Sequence, residues 1–202
     1  MNKKNKNLTI NEEAIIRKLS LVSLLGNAAL SGFKLFAGIF GHSGAMISDA
    51  VHSFSDVFTT LVAWIGVKVS KKAADADHPY GHERMECVAA LVLGLILLAT
   101  GIGIGKTGVE NIISGRYEAL PLPGTIALIA ALISIIGKEM MYWYTRYYAK
   151  RINSAAFMAD AWHHRSDAFS SIGSLIGIAG ARLGFPVLDS AASVLICLFI
   201  LK

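Results

Sequence analysis

Charge is what this 202-residue sequence has least of: Asp, Glu, Lys and Arg make up 16% of it, where a soluble domain carries about 25%. Against that, 54% of the residues are hydrophobic and the mean hydropathy is +0.54, which excludes an ordinary water-soluble domain and makes the chain a membrane protein. The net charge of +5 therefore does not mark a nucleic-acid binder, because the basic residues belong to no soluble domain and report membrane sidedness instead. Cysteine is scarce as well. Cys87 and Cys197 both fall in apolar runs without metal or redox spacing, and they read as buried thiols. A signal-peptide cleavage site is also lacking: no small-residue motif closes the first apolar run, and further spans follow it. Residues 1–18 are therefore a polar, basic cytoplasmic tail rather than a signal peptide.

What is present is a succession of apolar segments. Their spacing predicts an all-α membrane protein with six transmembrane helices over 19–40, 45–69, 87–113, 124–143, 155–179 and 187–201, the last of them short for a full span. Residues 19–202 thus form one six-helix transmembrane domain. Lys34, inside the first span, must pair, line a polar cavity or snorkel. Gly101 and Gly105 form a G-x-x-x-G in the third, which permits close backbone contact between helices. Tyr142, Trp143, Tyr144, Tyr147 and Tyr148 read as an interfacial aromatic belt, with Lys138 and Glu139 near that edge as a solvated turn. Lys3, Lys4, Lys6, Arg17 and Lys18 precede the first span; Lys68, Lys71, Lys72 and Arg84 lie between the second and third. Arg146, Lys150 and Arg151 join the fourth to the fifth, and Lys202 ends the chain, against only Arg116 and Arg182 on the other side. The positive-inside rule puts both termini in the cytoplasm, and the short loops fit a bacterial inner membrane.

One pattern occurs twice, D-A-x-H-x-x-S-D, at Asp49–Asp56 in the second span and Asp160–Asp167 in the fifth. Positions −3, 0 and +4 around each His share one helix face, so each copy presents Asp, His and Asp as a stripe. Facing each other, the two helices can bring His52, Asp56, His163 and Asp167 to one point. Two imidazole nitrogens and two carboxylates suit tetrahedral Zn²⁺, and the carboxylates balance its charge. Structural glue between helices is the bland alternative for one such residue, but a doubled His-x-x-x-Asp at matching spacing favours a metal site. In apolar surroundings such a cluster cannot stay fully ionised, so metal and protons compete for the same atoms, and a site that alternates its access exchanges one for the other.

Other polar residues are assigned around that site. Asp49 and Asp160, one turn before each His, either order it through hydrogen bonds or line its polar approach. His164 points about 100° away from the His163 face and is no ligand. Arg165 needs a carboxylate at membrane depth, with Asp49, Asp160 and Glu139 as candidates. Asp75, His78 and His82, between the second and third spans, form either a second surface zinc site or funnel, or a capped helix start with two solvated histidines. An intramembrane metalloprotease would need H-E-x-x-H; His82-Glu83-Arg84-Met85-Glu86 has Glu86 in place of the second His, so no enzyme is expected.

The motifs Ser48–Asp56, His78–Glu86 and Ala159–Asp167 together resemble the cation diffusion facilitator family of zinc-transporting secondary exchangers. The resemblance implies a homodimer that exports a divalent metal from the cytoplasm in exchange for protons, with no prosthetic group and with zinc as cargo. It carries the transport site to His52, Asp56, His163 and Asp167, and matches Asp75, His78 and His82 to a loop metal site of some members. Fe²⁺, Co²⁺, Ni²⁺ or Cd²⁺ as cargo, and a metal-binding scaffold without transport, are the alternatives. The family's usual cytoplasmic ferredoxin-like domain after the sixth helix is expected to be absent from the chain.

Overall fold

The computed structural model describes residues 3–70 and 85–200. Asp75, His78 and His82 lie outside the described residues, as do Lys71, Lys72, Arg84, Lys202 and the Cys87 side chain. Six α-helices follow one another in the described part: α1 Lys3–Phe40, α2 Gly44–Ser70, α3 Met85–Ile113, α4 Thr125–Arg151, α5 Ala155–Arg182 and α6 Val187–Ile200, with a short 3-10 turn at Arg116–Glu118. Each expected span is a helix. α1 begins as far back as Lys3, so the basic stretch ahead of the first span continues it as helix.

Among the described residues, Ala14–Phe40, Gly94–Ile113 and Thr125–Arg151 are long and apolar enough to cross a membrane, and Val187–Leu198 is a shorter apolar helix. α2 and α5, the two helices that carry the motif, are not among them; the 28 residues of α5 hold Asp160, His163, His164, Arg165 and Asp167 within two turns or so. A helix that polar is tolerated in a bilayer only when its polar stripe faces other protein.

The bundle closes on small side chains. Ala37, Ala45, Ala127, Ala130 and Ala131 pack with Met46 and Ile178 in a buried cluster shared by α1, α2, α4 and α5. Lipid supplies no hydrophobic drive between helices, so close van der Waals approach over small residues holds them instead. The glycine pair of α3 behaves this way. A Cβ on Gly105 would lie 2.8 Å from Cys197 Sγ of α6, and the buried Cys197 thiol donates to the Gly101 carbonyl at 2.7 Å.

Polar caps fix the turns. Asp189, in the first turn of α6, accepts from Ser43 Oγ (2.6 Å), Gly44 N (2.8 Å) and Ala45 N (3.4 Å), so it caps α2 from a distant helix. His42 takes φ 50 in the α1–α2 turn. α5 starts at Ser154, whose Oγ accepts from Phe157 N, just after Asn153 at φ 51. The three-residue connection Ile152, Asn153 and Ser154 makes α4 and α5 an antiparallel pair.

The fourth span corrects two expectations. α4 continues to Arg151, which leaves Lys138 about 20 Å from its C-terminal end at 1.5 Å per residue. Lys138 is fully buried, not part of a solvated turn. Tyr142 is buried too and does not join the belt; Trp143 and Tyr147 face outward as expected.

Candidate metal centre

The two motif stripes meet where α2 passes α5. His163 Nε2 lies 3.6 Å from Asp56 Oδ1 and 3.8 Å from Asp167 Oδ2, and His52 Nε2 lies 3.9 Å from Asp167 Oδ1. One donor atom each from His52, Asp56 and Asp167 falls within a 4.8 Å group. Donors held ~2.0–2.1 Å from a tetrahedral zinc are ~3.3–3.4 Å apart, so the His–carboxylate contacts need to close by about half an ångström and other pairs of that three-residue group by up to about 1.5 Å, and His163 is not part of the group. Exposure grades across the cluster: His163 is 46% exposed, Asp56 and His52 are near one-fifth, and Asp167 is 2%.

The first-turn aspartates have other partners. Asp49, fully buried, pairs with Lys34 of α1 at 2.9 Å, and Ser171 Oγ donates to the same carboxylate oxygen at 2.9 Å. Lys34 also donates to Ser53 and Ser171, each at 2.9 Å. The buried lysine of the first span therefore pairs rather than snorkels, and it links Asp49 to Ser53, the neighbour of His52. Asp160 lies 3.6 Å from His164 Nε2, which also meets Ser23 Oγ of α1 at 3.2 Å. His164 is buried and turned to α1, away from the four clustered residues. Arg165 finds Glu139 of α4 at 3.2 Å, and its guanidinium covers the Tyr142 ring at 4.6 Å, a cation–π contact.

Lys138 is the residue that sequence reasoning missed. Its Nζ donates to Asp167 Oδ2 at 2.5 Å and to Asn27 Oδ1 at 2.6 Å. Helical spacing gave no signal of this, since Lys138 and Glu139 adjoin in sequence and only the length of α4 decides which is inside. Beside Asn27 a cavity of about 180 Å³ opens between α1, α2 and α5, lined by Ser20, Ser23, Asn27, Val57, Phe157 and Asp160. A second cavity, about 410 Å³, lies among the residues that join α1 to α2, α3 to α4 and α5 to α6, with His42, Asn111, Tyr117 and Asp189 in its wall.

Residues 20–202 match the cation efflux transmembrane domain family. An uncharacterised transporter of Methanocaldococcus jannaschii is 40% identical over 187 residues, which are 93% of this chain and 65% of that protein. Metal tolerance protein C1 of Arabidopsis thaliana is 36% identical over 197 residues, covering 92% of this chain and 42% of its own. The manganese efflux system protein MneS of Bacillus subtilis is 34% identical over 183 residues, covering 91% and 62%. The chain thus spans between about two-fifths and two-thirds of the length of these relatives. With the match running through all six helices and both copies of the motif, the chain belongs to the cation efflux family, as its transmembrane domain.

Proposed function

We propose that this chain is the membrane-spanning part of a secondary transporter that moves a divalent metal out of the cytoplasm in exchange for protons. Its transport site is His52, Asp56, His163 and Asp167, its preferred cargo is Zn²⁺, and it works as a homodimer with both termini in the cytoplasm. One observation carries the reading: two histidines and two carboxylates from two helices converge within bilayer-spanning protein, each His nitrogen less than 4 Å from a carboxylate oxygen. Grouped ionisable residues at that depth favour an ion pathway over structural glue. Two imidazole nitrogens and two carboxylate oxygens are a donor set that suits a tetrahedral, borderline ion, and metal and protons compete for the same atoms.

Asp160 and Asn27, in the wall of the cavity between α1, α2 and α5, give the ion a polar approach. Manganese is the second cargo to consider, because MneS is named for manganese efflux. Mn²⁺ favours oxygen-rich, six-coordinate sites, and the two imidazoles weigh against it.

The test is flux in liposomes with an enclosed metal-sensitive dye and an imposed pH gradient, for Zn²⁺ and Mn²⁺ separately. Zinc flux that follows the gradient and disappears in Asp167→Ala is the expected result. Equal flux in both proteins would sink the site, and faster flux of manganese than of zinc would reverse the cargo.

A further inference from the structure

Lys138 holds the carboxylate that the transported ion needs. Its ammonium donates to Asp167 Oδ2, the same oxygen that lies 3.8 Å from His163 Nε2, and to Asn27 Oδ1 on the far side. All three groups are buried: Lys138 is fully enclosed, Asp167 is 2% exposed and Asn27 is 8% exposed. An ammonium has three donors and no acceptor, so it cannot ligate a cation. It repels one and competes with it for the Asp167 lone pairs.

The other buried lysine marks the contrast. Lys34 pairs with Asp49, which is not among the four clustered residues, and its remaining partners are the Ser53 and Ser171 hydroxyls. Lys34 braces the helices. Lys138, by contrast, is bonded to Asp167, a carboxylate of the candidate transport site.

We infer that Lys138 is a tethered competitor of the cargo: its ammonium takes Asp167 when no metal does and swings wholly onto Asn27 when metal arrives, so that the ion is held weakly enough to be released. The inference rests on the transport-site reading above. Two histidines and two carboxylates in a dry site would bind zinc tightly, and a transporter needs binding that favours loading yet permits departure. A fixed positive charge about 5 Å from a divalent ion, at an effective dielectric near 20, would lower the binding constant by about five orders of magnitude, of which the shift of the ammonium onto Asn27 and relaxation of neighbouring groups leave roughly one to two. Asn27 is the acceptor that receives the displaced ammonium, which keeps it from being buried without a partner.

A purely structural salt bridge and a competitor predict opposite signs. Removing a structural partner weakens the site, whereas removing a competitor tightens it. The measurement is equilibrium Zn²⁺ binding to the purified full chain in detergent at fixed pH, by competition with a chromophoric chelator. Lys138→Met is expected to bind zinc roughly 10- to 100-fold more tightly. Asn27→Ala is expected to bind it more weakly, because the ammonium then depends on Asp167 alone. In liposomes Lys138→Met should lower both the half-saturating zinc concentration and the maximal flux, a split that simple misfolding does not give. Unchanged or weaker binding by a folded Lys138→Met protein overturns the inference. Should that variant fail to fold, unchanged or tighter binding by Asn27→Ala overturns it as well. Asp167→Asn separates the two levels of argument: zinc binding that survives this substitution removes the transport site and the inference together. Binding lost in Asp167→Asn but unmoved in Lys138→Met removes the inference alone.

Discussion

Breaking the Lys34–Asp49 pair tests whether the first aspartate of the motif is a brace or part of the ion site. Lys34 and Asp49 are both fully buried, and the ammonium makes contacts of 2.9 Å to Asp49, Ser53 and Ser171. Lys34→Met removes the ammonium paired with Asp49 and leaves a buried carboxylate with the Ser171 hydroxyl. Stripping one partner from a buried pair costs about 3–5 kcal/mol. In a chain of this size each kcal/mol is worth ~2–4 °C, so the melting temperature should fall by roughly 6–20 °C. Asp49→Asn should lose less, because Lys34 keeps both serine oxygens and gains an amide oxygen. The double variant is the informative one. With both charges gone, the desolvation penalty goes with them, and the double variant should melt above Lys34→Met. The assay is thermal unfolding of the detergent-solubilised full chain followed by tryptophan fluorescence, with zinc binding measured in parallel. A double variant whose loss equals the sum of the two single losses would refute the buried-pair reasoning. A zinc affinity that falls more than about tenfold in Asp49→Asn would refute the assignment of Asp49 as a brace, since tenfold is ~1.4 kcal/mol, more than an indirect contact through Ser53 should carry.

Asp189→Ala strips three donors of their acceptor at the start of α2, and a loss of about 1–2 kcal/mol in the same melting assay is expected, with zinc affinity unchanged. Gly108→Val places side-chain atoms where Val194 of α6 already lies within 2.6 Å of a Cβ, so α3 and α6 must part; a lower yield of folded protein on gel filtration checks this. Arg165→Met breaks a pair whose members are each about one-third exposed, so its melting point should move little, by the equivalent of ~1 kcal/mol or less; a larger drop would mean that the Tyr142 contact carries weight of its own.

The existence of six helices and the approach of the two motif copies were legible in the sequence, because hydropathy and helical periodicity are local properties; the length of α4 was not. The G-x-x-x-G was legible for the same reason, and Gly105 does lie against Cys197. Partner choice was not. Three carboxylates were open to Arg165, and what selected Glu139 was the packing of α4 beside α5, which no spacing within either helix encodes. Asp189 went unnoticed because a cap supplied from another helix leaves no mark next to the helix that it caps. The loop residues Asp75, His78 and His82 lie outside the described residues, and their two readings stand as before.

The hidden lysine also changes the charge argument. Two aspartates and two histidines alone would set two carboxylates in apolar surroundings with only protons or a metal ion to balance them. Lys138 brings a positive charge into that cluster and Lys34 neutralises Asp49 beside it, so lysines can do part of what protons were assigned. The two copies of the motif therefore share a sequence but not a role. In α2 a buried lysine holds the aspartate before the histidine; in α5 a buried lysine holds the aspartate after it. The first arrangement leaves Asp56 to face His163, and the second sets a cation against Asp167. If both copies served a symmetric cage, Asp56 and Asp167 would be interchangeable. Asp167 carries the Lys138 ammonium at hydrogen-bond distance, so under the transport reading proposed above an ion must displace that ammonium to finish its coordination.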